Sequence, residues 1–194
     1  NINLFNDIFV NNTVGFNASA FSYGLNLSAV NSTFLNNTIG ILSYPYYNNF
    51  NIIKEGYFAY NKVGIRDLKA ITLDSIFINN DEVAVHNLIG LIANSTFINN
   101  SIGINSTYFT NVTNNMFNNN SVGVIAGTYA YSRINDNYFL QNQIGLLILY
   151  RLSSGLSNLI YNNYFNNIIN TQGNATGTQF NISKINGTNI IGRP

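Results

Sequence analysis

Few side chains in this 194-residue sequence are able to do acid–base or metal chemistry. There are eight Lys and Arg, seven Asp and Glu, one His, one Met and no Cys. Ten of those sixteen charged or His residues fall between Lys54 and His86. They include Glu55, Arg66, Asp67, Asp74, Asp81 and Glu82. Glu55 and Asp74 are 19 residues apart, the same interval as Phe58 and Phe77. If that interval is a structural period, the two carboxylates sit on adjacent strands, ~4.8 Å apart at the backbone. Carboxylates that close can share a proton, hold Ca²⁺ or act as an acid and a base. Lys54, Arg66 and Lys69 can equally neutralise them as a solvated charged face, and the extra residue at Asp81–Glu82 can be a simple bulge. The candidate catalytic residues are therefore Glu55, Asp74, Asp81 and Arg66. No cofactor is expected apart from Ca²⁺ at such a pair. Without cysteine there is no disulfide, thiolate metal site or thiol nucleophile. A single His (His86) and a single Met (Met116) argue against copper or haem chemistry.

The remaining candidates are uncharged. Tyr23, Tyr44, Tyr46, Tyr47, Tyr108, Tyr129, Tyr131 and Tyr150 fall between the patterned stretches. A tyrosine presents a flat apolar ring and a hydroxyl, which suits a sugar face or a protein partner. Packing over the protein's own surface is the plainer alternative. We take Tyr44, Tyr46, Tyr47, Tyr129, Tyr131 and Tyr150 as the candidate ligand-binding set. Thirteen asparagines stand in Asn-x-Ser/Thr sequons. Asn17, Asn26, Asn105, Asn111, Asn174, Asn181 and Asn186 lie where a glycan has room, and they point to a secreted or cell-surface protein.

These side chains must be positioned by something, and the sequence shows what. A unit recurs: Phe, any residue, Asn, Asn, any, apolar, Gly, apolar. It reads FVNNTVGF from Phe9, FLNNTIGI from Phe34, FAYNKVGI from Phe58, FINNSIGI from Phe97, FNNNSVGV from Phe117 and FLQNQIGL from Phe139. Phe77 opens a variant with one extra residue, and Phe165 a decayed unit. The anchors are 25, 24, 19, 20, 20, 22 and 26 residues apart, a period that marks a solenoid. Three residues past each anchor stands Asn12, Asn37, Asn61, Asn80, Asn100, Asn120 or Asn142, and the eighth unit departs with Ile168. Apolar and polar residues alternate around the anchors, and Ile, Val, Phe, Tyr and Thr dominate, as in β-strands.

One coil per repeat satisfies all of this. About twenty residues at ~3.3 Å each close a coil of short strands, and coils stacked ~4.8 Å apart place like residues over like. Phe stacks on Phe inside, and Asn stacks on Asn at a turn, where it also tolerates the left-handed conformation of a sharp corner. The recurring Gly fits a second corner or a close backbone approach. The predicted fold is all-β, a right-handed parallel β-helix of about eight coils over residues 1–170. Residues 171–194 form a partial coil or capping tail. Forty Asn residues supply the polarity that charge does not, with a net charge of +1. There is no basic field for nucleic acid and no apolar run long enough for a membrane span. Asn1 enters in repeat register, so the expected partner of the first coil is preceding chain, another domain or the next subunit.

The Phe-x-Asn-Asn-x-x-Gly-Ile repeats resemble those of the pectin-lyase-like parallel β-helix superfamily. They are closest in style to nitrous-oxide-reductase accessory and carbohydrate-binding β-helix proteins. The resemblance implies the fold over nearly the whole chain and admits several functions: lyases, hydrolases, tailspikes, adhesins and surface proteins. The Asp trio and His of the galacturonan hydrolases have no counterpart here. Asp74, Asp81 and Arg66 are what could imitate the Ca²⁺-binding acidic cluster and catalytic Arg of the pectate lyases. The copper attached to some relatives lacks the His, Cys and Met it needs. The favoured function is a non-enzymatic structural or adhesive module, glycosylated and part of a larger chain or assembly. The alternative is a carbohydrate-binding or polysaccharide-cleaving protein.

Overall fold

The computed structural model describes residues 1–18, 26–44, 51–106, 110–127, 133–149, 159–161, 163–173, 179–181 and 184–185. Side chains are described throughout except at 159, 161, 179–181 and 184–185. The first coil contains strands β1 (Ile2–Phe5), β2 (Ile8–Val10) and β3 (Val14–Asn17). Each belongs to a different parallel sheet, here A, B and C, and the pattern repeats along the chain. Among the described residues the sheets hold nine, nine and eight strands. The molecule is an all-β parallel solenoid, as the repeat predicts.

Register follows the sequence columns. Phe77 pairs with Phe58 on one side and Phe97 on the other. The sheet B strands that carry an anchor Phe are only three residues long, and the anchor points inward. The seven anchors from Phe34 to Phe165 are fully buried. Their rings stack from Phe9 to Phe165 at 4.7–5.0 Å between centroids, with interplanar angles of at most 12°. Isolated rings prefer offset or edge-to-face contacts. Here the strand spacing dictates the stack, and burial of apolar area stabilises it. The facing column from sheet A, among it Leu4, Ala29, Ile53, Ile92, Val112 and Ile134, completes the core.

Two polar ladders flank the stack. In the first, Asn100 N and Nδ2 both donate to Asn120 Oδ1, at 2.9 and 3.0 Å, while Nδ2 also donates to the Phe77 carbonyl at 3.0 Å. The same bonds recur from Asn37 to Asn142. The eighth unit does not depart from this ladder: Asn142 donates to Asn167 Oδ1 at 3.0 Å, and Asn167 donates to Asn170 Oδ1 at 3.1 Å. Asn167 arrives one position early, which leaves Ile168 outside and exposed. The second ladder lies two residues before each anchor. Ser75 N donates to Ser95 Oγ, Ser95 N to Asn115 Oδ1, Asn115 N to Asn137 Oδ1 and Asn137 N to Asn163 Oδ1.

The corners are made by other residues than the ladder asparagines. The left-handed residue at the B-to-C turn is the one before each ladder Asn from Asn12 to Asn142, such as Asn99 (φ 55°) and Asn119 (φ 54°). At the A-to-B turn it is Glu55 (φ 55°), Asp74 (φ 52°) and their equivalents. The ladder asparagines do not have positive φ. The reason is a division of labour: a residue at the apex points its side chain out, whereas a ladder amide must point in. The repeated Gly is a close approach and not a corner. A Cβ on Gly103 would lie 2.5 Å from the Gly123 carbonyl oxygen and 2.9 Å from Phe117 Cδ1.

Candidate functional site

Sheet C leads into the next sheet A strand through connections of very different length. Between Val63–Arg66 and Lys69–Leu73 there are two residues, as there are between Val83–His86 and Ile89–Ala93. Between Ile39–Leu42 and Asn51–Lys54 there are eight. The two short turns close with left-handed Asp67 (φ 55°) and Asn87 (φ 51°), residue types that tolerate this conformation. They bury Leu68 and Leu88 in the core. This edge of the third and fourth coils is where the charged segment gathers several of its polar groups.

Arg66 and His86 are register partners at the ends of their strands, followed by Asn105. All three are half-buried. His86 Nδ1 lies 4.0 Å from Asp67 Oδ1, beyond hydrogen-bond reach. The Asp67 oxygen accepts instead from Asn87 Nδ2 at 3.1 Å. His86 Nδ1 and Arg66 Nε are buried atoms without a hydrogen-bond partner among the described residues. Burial holds the imidazole below its ordinary pKa, and Arg66 pushes the same way; Asp67 and Glu82 act against them. His86 is therefore predominantly neutral at pH 7.

The expected catalytic residues occupy three separate edges. Glu55 and Asp74 are neighbours, as the column argument requires, with Glu55 N donating to the Leu73 carbonyl at 3.1 Å. Both are exposed at the A-to-B corner, and Glu55 lies 3.3 Å from Lys54 Nζ. Asp81 is exposed on the B-to-C turn. There the extra residue makes a bulge, in which Glu82 N and Val83 N both donate to the Lys62 carbonyl. Glu82 sits 3.6 Å from Lys62 Nζ. Arg66 stands on sheet C, and its neighbours Asp67 and His86 were visible in the sequence only as charges. Among the described residues, no three His, Asp or Glu side chains converge on one point as a metal site. That arrangement offers an imidazole and a guanidinium side by side, with a carboxylate at the rim.

Tyr44 is exposed just after a sheet C strand. Tyr46, Tyr47, Tyr129, Tyr131 and Tyr150 lie outside the described residues, as do Tyr23 and Tyr108. Among the sequons, Asn17 and Asn111 are exposed, while Asn26 and Asn105 are half-buried. Asn174 and Asn186 lie outside the described residues, and Asn181 is placed only as part of a strand adding to sheet A.

A family model described as "Periplasmic copper-binding protein (NosD)" matches residues 74–194, more than half of the chain. No curated protein and no solved structure matches it significantly. Copper prefers imidazole, thiolate and thioether donors, and the fit of this chain to that metal can be judged on its donors. Its one imidazole, His86, is on sheet C, and its one thioether, Met116, is on sheet B. Among the described residues, these donors do not come together as a copper centre. The parallel coils, their in-register Phe and Asn columns and the family match agree on what the fold is, and the chain belongs to the NosD family of β-helix proteins.

Proposed function

We propose that this chain is a non-enzymatic structural module of an exported protein, a rigid rod that holds partner subunits or flanking domains in place. The family's periplasmic description supports an exported location. The observation that carries the reading is where the polar residues go. Asn37, Asn61, Asn80, Asn100, Asn120 and Asn142 are all buried, and each spends its amide on the coils above and below. Each coil thus depends on its neighbours for core and hydrogen bonds alike, which gives a stiff one-dimensional array. An adhesive role and glycosylation at exposed Asn17 and Asn111 are consistent with such a rod.

Three measurements test this. The purified chain, incubated with neutral and acidic polysaccharides with and without Ca²⁺, is expected to release no new reducing ends or unsaturated products. Release that disappears in Arg66→Gln or Asp74→Asn refutes the non-enzymatic reading. Light scattering over a range of concentrations is expected to show association above the 21.5 kDa monomer mass. A strict monomer throughout refutes self-assembly. Intact mass before and after deglycosylation, on protein secreted by an N-glycosylating host, decides the sequons.

A further inference from the structure

We propose that the edge formed by Arg66, His86 and Asn105 on sheet C is a binding site for a single carboxylate group of a small ligand.

The argument begins with Arg66. A guanidinium is always charged and is costly to bury without a partner. Arg66 is half-buried, yet it forms no ion pair among the described residues. Its Nε is shielded from water and bonded to nothing among them. An unsatisfied buried donor is destabilising, and it is relieved when the side chain turns to meet a carboxylate oxygen. The planar fork of the guanidinium matches the two oxygens of a carboxylate.

The surroundings set the class of ligand. Along the column Arg66 is preceded by Leu42 and followed by His86 and Asn105. Leu42 in turn packs against a small apolar cluster of Ile39, Val63 and Val83, three positions earlier on these strands. A low-dielectric wall beside one unpaired cation favours an anion. Asp67 and Glu82 lie within electrostatic reach of His86 and oppose a second negative charge. Lys62 partly offsets Glu82, and Asn87 holds Asp67 at the corner. The field therefore suits a monoanion such as a carboxylate better than a phosphate dianion. The amide of Asn105 adds a neutral donor, and a bound anion favours the protonated form of His86, which adds another. The turns that follow Arg66 and His86, at Asp67–Leu68 and Asn87–Leu88, are only two residues long.

The chain supplies its own probe, because His86 is its sole histidine. The ring signals of His86 are followed by NMR at constant ionic strength during addition of sodium acetate, inorganic phosphate or sodium chloride. Acetate is expected to shift the signals saturably, to raise the His86 pKa and to bind more tightly as pH falls through that pKa. Arg66→Gln should lose this binding at least tenfold. Arg66→Lys keeps the charge but loses the fork and Nε, and should also weaken binding at least tenfold. Asn111→Ala, on the outer face of sheet A, should bind as the parent does. Thermal melts confirm that each variant is folded, and Arg66→Lys carries the test if Arg66→Gln is not. A shift that never saturates, equal binding by Arg66→Lys, or chloride producing the same response overturns the proposal. Phosphate binding as tightly as acetate overturns the assignment to a carboxylate.

Discussion

Replacing Asn100 by Ala isolates the contribution of the ladder. Asn100 is buried in the fifth of the coils. Its Oδ1 accepts from Asn80 N at 3.0 Å and from Asn80 Nδ2 at 2.8 Å. Its Nδ2 donates to the Phe77 carbonyl and to Asn120 Oδ1. The truncation removes all four bonds but does not affect every partner alike. Asn80 Nδ2 retains the Phe58 carbonyl at 3.1 Å, and Asn120 Oδ1 retains the Asn100 backbone N–H at 2.9 Å. The Asn80 backbone N–H loses its side-chain acceptor in a dry interior. One such stranded donor costs ~1–3 kcal/mol, and the other lost bonds add ~0.5–1.5 kcal/mol each. The expected destabilisation is about 3 kcal/mol, read as a lowered urea midpoint with an unchanged slope. Asn99→Ala is the internal control. Asn99 is exposed, and in the outer row its Oδ1 accepts from Asn119 Nδ2 at 2.8 Å. Its cost should be about 1 kcal/mol, from placing Ala in the left-handed region, and Asn99→Gly should recover most of it. Equal losses for Asn99→Ala and Asn100→Ala would refute the assignment of apex and ladder.

Phe97→Ala and Phe117→Ala each open a cavity in the stack and should cost ~3–5 kcal/mol in chemical denaturation; a loss below about 1 kcal/mol sinks the stacked core. Gly103→Ala pushes a methyl against the Gly123 carbonyl and the Phe117 ring and should destabilise by at least ~1–3 kcal/mol, whereas a neutral result means the sheets can part freely there. His86 has a folded pKa below its unfolded value of 6.5. Protons therefore bind the unfolded chain more readily, so its contribution is complete above pH 6.5 and declines as pH falls through 6.5 and below. Stability curves of the parent and His86→Asn should converge in slope at high pH and diverge on acidification; parallel curves contradict the burial argument. Glu55→Gln breaks only the exposed contact with Lys54 and should change stability by less than ~1 kcal/mol.

The repeat was legible in the sequence because a stacked coil imposes one environment on each column. Phe in eight units, and Asn three residues later in seven of them, are the direct imprint of a ~4.8 Å repeat on residue choice. The adjacency of Glu55 and Asp74 followed from the same columns. Other features were written in the sequence in a less uniform alphabet. The second ladder mixes Ser32, Ser75, Ser95, Asn115 and Asn137, because a hydroxyl and an amide oxygen can accept from the same backbone N–H. The rescue of the first ladder by Asn167 depends on a local shift of one residue, which a fixed column offset misses. Which asparagine forms a corner depends on backbone dihedrals, and adjacent Asn99 and Asn100 carry no difference in residue type to reveal it.

The edge holding Arg66, His86 and Asn105 belongs entirely to the tertiary structure. The sequence shows ten charged or His residues in one segment, but strands that alternate and turn send them to different edges. Glu55 and Asp74 go to one corner, Asp81 and Glu82 to another, and Arg66 and His86 to the outer end of sheet C. Proximity along the chain determined which coils carry charge. Winding of the coil decided which of those charges meet, because residues one full turn apart become neighbours while residues a few positions apart are separated by a corner. Whether a guanidinium then finds a carboxylate depends on side-chain reach and shielding across that edge, and no column of letters encodes that.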